Sequence, residues 1–386
     1  MRLKLLSLCL LPILLAACST VRVVPAESHP AEGMNPELQP PVRSDRAATR
    51  DFPPGDSDGY RPPARLAVLL PITGSLSAAA AAVRDGLLAA YYAEKRPRPV
   101  VRFYDSQGTG AGAQAAAAKA IADGAQMIVG PLTREEVSAL AAQSAGRVPM
   151  IALNRGSQSP PPGTTSFALL PDDEGRAAAL RLQQRKLGSV LVFNNRSDHA
   201  QRAISAFKES LRKRGGSVAA EILVSGEGAD VAGQLSALAA STTPPQAVFM
   251  AVDSDQARSI SLQLKASPLA GLPRLSTSEI LSGNSRGSEL DGIEYPELPW
   301  LLGQGGSLAD PASLAKSLTS ARGPSQRLFA FGADAWKLAA YFERLYDDPS
   351  FTVNGSTGLL RIDVTGPVQR TPAWAVMSGG HGRAAN

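Results

Sequence analysis

Residues 65–92 read "RLAVLLPITGSLSAAAAAVRDGLLAAYY". A short apolar run leads to a turn at Pro71 and Gly74, and then to a long Ala-rich segment. That order is strand, loop, helix. Backbone N–H groups at the start of a helix lack intrahelical partners and carry partial positive charge, so such a junction can hold an anion. Small apolar residues fill the helix-opening turn Ala78–Ala82, which leaves little there to grip a polar ligand.

The same beat recurs downstream. The spacing predicts strands in "VVRFYDS", "AQMIVGPL", "VPMIALN", "SVLVFNN", "SVAAEILVS" and "QAVFMAVD", while "SFALLP" leads into a helix. Helices are expected at 78–93, 114–123, 135–144, 172–186, 200–214, 230–240 and 254–266. The strands are mostly apolar throughout rather than alternating, as strands buried on both faces are. Alternating strand and helix implies right-handed crossovers and a doubly wound, mostly parallel α/β sheet. The beat breaks near "SFALLPDDEG" and again near "RLSTSEI". One sheet would hold more strands than twisted open sheets usually allow, so two lobes joined by several crossings are expected. The expected division is residues 64–170 plus 275–345 for the first lobe and 171–274 plus 346–386 for the second.

The N-terminus gives the compartment. "MRLKLLSLCLLPILLAACST" has Arg2 and Lys4, an apolar run too short for an ordinary membrane span, and a small-residue end. Residues 1–17 read as a signal peptide. Leu15-Ala16-Ala17-Cys18 resembles a lipobox, in which Cys18 receives a diacylglycerol; the alternative is a plain signal with an incidental Cys. Ser19 after the Cys fits sorting to the outer membrane. Cys9 and Cys18 are the only cysteines. A lipidated mature chain therefore has no disulfide and no thiol nucleophile. Residues 18–63, rich in Pro, Ser, Glu and Arg, cannot bury enough surface to order themselves, and read as a lipidated tether. A segment that folds on a partner is the other reading.

Charge and motifs exclude several functions. The chain has 39 basic and 34 acidic residues. Loss of Arg2 and Lys4 with the signal takes the excess from five to three. The basic residues are scattered, so no nucleic-acid footprint stands out. Only His29, His199 and His381 occur, without metal-ligand spacing, so no metal or other cofactor is expected. There is no Gly-x-x-x-x-Gly-Lys phosphate loop. Ser313-Leu314-Ala315-Lys316 matches Ser-x-x-Lys formally, but no Lys-Thr-Gly follows. No catalytic residue is assigned, and the chain reads as a non-enzyme.

Candidate cleft residues are those at strand ends, where open α/β sheets bind ligands. They are Thr73, Gly74, Ser75, Asp105, Gly130, Pro131 and Asn154 in the first lobe, with Asn194 and Asp253 in the second. Gly, Pro, Asn and Ser also end strands simply because turns need them. Asp172, Asp173 and Glu174 read as the first turn of a helix, where negative charge offsets the dipole. Tyr295 and Trp300, in the Pro-broken run "ELDGIEYPELPWLL", are candidate interface anchors. Their other reading is a loop folded over the lobe junction.

Five further blocks bear on family: "IVGPLTREEVSAL", "VPMIALN", "SFALLPDDEGRAAA", "RLFAFGADAWKLA" and "VNGSTGLLRID". Together with the opening stretch, and over residues 64 to 378, they resemble the penicillin-binding protein activator family of LppC/LpoA-type lipoproteins. The resemblance implies a type I periplasmic-binding-protein-like fold. It implies binding to a class A penicillin-binding protein, a peptidoglycan synthase, with stimulation of its transpeptidase. It also implies attachment to the outer membrane through Cys18, facing the periplasm. Better-known members carry an N-terminal helical-repeat domain, where this chain shows only the tether. A small-molecule receptor for an amino-acid-like ligand is the alternative, with no tight ligand expected.

Overall fold

Apolar runs form the central strands here because both of their faces are buried, whereas the edge strands at 100–105 and 217–223 stay partly exposed. The computed structural model describes residues 55–141, 148–158, 161–226, 229–304, 306, 308–363 and 366–385. The signal peptide, Cys18 and the tether as far as residue 54 lie outside the described residues.

The first sheet holds β1 (Arg65–Leu70), β2 (Val100–Asp105), β3 (Met127–Val129), β4 (Met150–Ala152) and β5 (Thr164–Ser166). All run parallel in the order β2-β1-β3-β4-β5. Helices α1 (Ser77–Ala93), α2 (Gly110–Ala122) and α3 (Arg134–Ala141) connect them. Helix α2, expected over residues 114–123, opens earlier, at Gly110. The Thr109 hydroxyl caps it by accepting from Gly112 N at 3.1 Å.

After residues 167–170 the chain crosses to a second unit. Its helices are α4 (Pro171–Gln184), α5 (Asp198–Lys213), α6 (Ala232–Ala239) and α7 (Ser254–Lys265). Its first strands are β6 (Ser189–Asn194), β7 (Ser217–Leu223), β8 (Ala247–Ala251), β9 (Arg274–Ser276) and β10 (Ile293–Glu297). The chain then returns through α8 (Pro311–Ser317), α9 (Gln326–Ala340) and α10 (Phe342–Asp347). A small antiparallel sheet follows, β11 (Val353–Asn354), β12 (Leu359–Ile362) and β13 (Val368–Thr371). The hairpin β14 (Ala373–Ser378) and β15 (His381–Ala384) completes the second sheet, in order β15-β14-β10-β9-β8-β6-β7.

The two doubly wound sheets are as expected, but three boundaries move. Residues 293–297, expected in the first lobe, pair with β9 and β14, because alternate residues Ile293 and Tyr295 complete the second core. Residues 353–371, expected in the second, place Val353, Leu360, Ile362 and Val368 in the first core with Trp336 and Leu345. The tether was expected to run to residue 63. Residues 55–63 are instead fastened down: Tyr60 is 4% exposed, its hydroxyl donates to Pro97 O at 2.8 Å, and Arg61 N donates to Ala340 O at 2.8 Å. The Arg96 guanidinium lies 3.7 Å over the Tyr60 ring and donates to Asp58 at 2.9 Å.

Helices α1 and α9 meet backbone to backbone. A Cβ on Gly86 would fall 1.8 Å from Phe329 O, and one on Gly332 would fall 1.9 Å from Val83 O. Gly332→Ala is therefore expected to cost about 3 kcal/mol or more, read by urea unfolding. Gly233→Ala, on an exposed face of α6 with nothing within 4 Å of the new Cβ, should instead stabilise by up to about 1 kcal/mol. Equal effects at the two positions would contradict the contact.

Candidate functional site

The loop after β1, a junction of the kind that can hold an anion, holds one of the chain's own in the structure. Asp105, at the end of β2, accepts from Ile72 N at 2.9 Å, Thr73 N at 3.3 Å, the Thr73 hydroxyl at 2.6 Å and Gln107 N at 2.9 Å. Burial pushes its pKa up, but these donors outweigh burial and hold the carboxyl below its ordinary value. The hydroxyl and amides that a ligand carboxylate would need are thus engaged. Gly74 and Ser75 form the exposed turn beyond, with Gly74 at φ +85°.

The other strand-end candidates are braced internally. Gly130 sits at φ +107°, where a Cβ would fall 2.0 Å from Leu69 O, and its N–H donates to Ile151 O at 2.8 Å. Pro131 O accepts from Leu153 N at 3.0 Å. Asn154 donates to Leu132 O at 3.0 Å. In the second sheet Asn194 donates to Glu221 at 2.7 Å and accepts from Arg196 N at 2.7 Å. Asp253 caps α7 in a reciprocal box with Gln256. Of these candidates the structure brings Thr73 and Asp105 into direct contact. Among the described residues, no hydrogen bond joins a first-sheet candidate to a second-sheet one.

Beside the loop, Leu70, Ile72, Ser77, Ala78, Ala80, Ala81 and Arg84 line a half-open cavity of about 370 Å³. Its walls are mainly apolar, and Arg84 is already paired with Asp85 at 2.9 Å.

Tyr295 and Trp300 are not exposed anchors. Tyr295 is 2% exposed and Trp300 1%. Tyr295 points into the second core because β10 pairs it with Ala375. Trp300 stacks on Phe329 at 5.3 Å between centroids and donates its indole N–H to Ala309 O at 2.9 Å. An interface must be sought elsewhere.

Sequence reasoning passed over a polar cluster at the start of α4. Asp172, Asp173 and Glu174 do form the first turn, but Asp173 and Glu174 are also buried. Glu174 accepts from Ser278 N at 2.9 Å and the Ser278 hydroxyl at 2.6 Å, with His199 Nε2 at 3.2 Å. Glu279 accepts from the Ser197 hydroxyl at 2.8 Å. Asp173 lies 3.7 Å from Arg370, which donates to Thr357 O at 3.0 Å. Three successive acids exceed what a helix start requires, and that excess was the available signal. Among the described residues, no group of three His, Cys, Asp or Glu side chains is placed to hold a metal, and no helix is long and apolar enough to cross a membrane.

Burial lowers the His199 pKa, but the Glu174 hydrogen bond and charge, aided by Glu279, outweigh it and the repulsion from Arg202. The net shift is upward. Burial raises Glu174, and His199 with Ser278 more than reverses that. A raised His contributes its full stabilisation below its unfolded value of 6.5 and loses it as pH climbs through the folded value. His199→Gln should therefore be less stable than the parent by about 1 kcal/mol at pH 6. The gap should narrow toward pH 9, by thermal melts across that range. A gap that does not change with pH would contradict the ion pair.

The family model of the LppC lipoprotein matches residues 60–380. The penicillin-binding protein activator LpoA of Photobacterium profundum is 27% identical over 345 residues, covering 81% of this chain and 56% of that protein. That of Klebsiella pneumoniae is 28% identical over 292 residues, covering 67% and 41%. The chain spans about half the length of the curated relatives it matches. Full-length LpoA from Haemophilus influenzae superposes with a TM-score of 0.71 at 22% identity, over 83% of this chain and 59% of that one. Its C-domain, described as a regulator of PBP1A, gives 0.70 at 21%, over 83% and 100%. A branched-chain amino acid ABC transporter protein from Chromobacterium violaceum gives 0.67 at 25%, over 82% and 100%.

Proposed function

This chain belongs to the LppC lipoprotein family, and from that premise we propose that it is a non-enzymatic activator of a class A penicillin-binding protein. The observation that carries the reading is the family match across residues 60–380. The relatives named as penicillin-binding protein activators support it over most of the chain. So does the loop after β1, where Asp105 takes up donors that a free carboxylate ligand would use.

The mechanism has no bond-making step in this chain. A regulator without catalytic groups acts by binding one state of its target better than another. A tenfold stimulation needs about 1.4 kcal/mol of differential binding, which a modest protein interface supplies. The lipid on Cys18 would hold the domain at the outer membrane on its periplasmic side, with residues 19–54 as the leash. Crosslinking of intact envelopes should capture a class A synthase with the full chain. Cys18→Ser should leave the outer-membrane fraction while the domain stays folded. Retention of Cys18→Ser in that fraction would overturn the anchor, and envelopes yielding no synthase would overturn the partner.

One observation favours a second reading, a small-molecule receptor: the cavity of about 370 Å³ beside the Thr73 loop, in a fold shared with a branched-chain amino acid transporter protein. Calorimetric titration with amino acids and muropeptides separates the two. The activator reading expects nothing tighter than about millimolar, near −4 kcal/mol, and a micromolar ligand would favour the receptor.

A further inference from the structure

Helices α4 and α5 lie side by side and point the same way. Their starts touch through Arg202–Asp172 at 2.6 Å and His199–Glu174 at 3.2 Å, and their ends through Arg214 Nε donating to Gln183 at 3.0 Å. Gly175 permits the approach, since a Cβ there would fall 2.0 Å from Ala203 O. Both C-termini therefore emerge together at the N-terminal edge of the second sheet. Six cations gather there: Arg181, Arg185, Lys186, Arg212, Lys213 and Arg214. The carboxylates that pair with them are Glu294, on Arg181 and Arg185, and Glu209, on Lys213. The excess of four at this one end compares with +5 for the whole chain.

Basic residues in a last helical turn offset the dipole, and that accounts for Arg212 and Lys213. It does not account for Lys186. Lys186 lies past the end of α4 at φ +60°, in the left-handed region where glycine is the default. Helix α5 ends in that conformation on Gly215, at φ +82°. A lysine kept at a strained position is an outlier that points to use. Among the described residues, neither Lys186 nor Arg212 has an ion-pair or hydrogen-bond partner for its side chain, and both are exposed.

The position fits an outward-facing contact. The N-terminal segment docks by Tyr60 and Arg96 beside the end of α1, at the N-terminal edge of the first sheet. Residues 167–170 join the C-terminal end of β5 to the start of α4, so the two N-terminal edges face apart. Between them lie the lengths of α1 and α4, about 26 Å and about 21 Å. The cations thus sit at the end remote from the point where residues 55–63 dock.

We propose that this end is a docking surface for an acidic face of a folded protein partner, an inference that rests on the activator reading above. Guanidinium groups held in place by Glu294, Gln183 and Ser210 suit carboxylates at fixed positions. A membrane surface would call for apolar side chains among the cations, and no large hydrophobic among residues 181–187 or 208–215 is exposed.

The test uses the full chain in detergent with a purified class A penicillin-binding protein, at about 50 mM and about 300 mM salt. Wild type should bind, and more weakly at high salt. The pair Lys186→Glu and Arg212→Glu should weaken binding about tenfold or more and flatten the salt dependence. Lys186→Gly should melt higher than wild type yet bind about two- to threefold more weakly, which a purely structural lysine would not do. Unchanged affinity and salt slope in these variants, with wild type binding, would overturn the surface alone. Absence of binding by wild type would overturn the activator reading instead. Loss of binding to phosphatidylglycerol vesicles, with synthase binding intact, would assign the cations to a membrane and overturn the proposal.

Discussion

The architecture turns on the contact between α1 and α9. These helices are far apart in sequence, and Gly86 and Gly332 let their backbones touch at two places. The contact brings the returning chain back to the first sheet and closes its core. On the opposite face of α9, Asp334 is buried, and its carboxylate accepts from Ser356 N at 2.5 Å, Thr357 N at 2.7 Å and the Thr357 hydroxyl at 2.5 Å. Burial drives this carboxyl up and the three donors oppose it. Through them α9 is tied to β11–β13, and Thr357 O in turn receives Arg370. Arg370 faces Asp173 at the first crossing. One close packing thus leads, bond by bond, to the junction between the sheets.

The polar groups at the strand ends of both sheets are engaged within the chain itself. The first-sheet loop retains a hydroxyl and amides suited to a carboxylate, and Asp105 occupies them. On the second sheet, Asn194 and Asp253 are committed to Glu221 and to capping α7. What remains exposed is surface: an apolar pocket at the start of α1 and a cationic end on α4 and α5.

The sheets were legible because strands such as "AVFMA" are apolar on both faces, and helix follows strand at short intervals. The strand-end candidates stand at or just past strand ends, yet their commitments were not visible, since Asp105 meets Thr73 only after β1 and β2 align in parallel. Tyr295 and Trp300 misled for a related reason. Two prolines around aromatic residues look like a stiff exposed loop, but Pro296 sits within β10 opposite Trp374, and its neighbour Tyr295 turns inward. Lys186 left no mark at all, because backbone conformation past a helix end is not written in composition.

On the proposed reading, this domain acts on a synthase by binding and not by chemistry of its own. The most direct measurement is crosslink formation in peptidoglycan made by a purified class A penicillin-binding protein, with increasing amounts of the full chain. Binding predicts stimulation that saturates near one chain per synthase, with no change to finished peptidoglycan when the synthase is omitted. Stimulation by far less than one chain per synthase, or alteration of peptidoglycan by the chain alone, would contradict it.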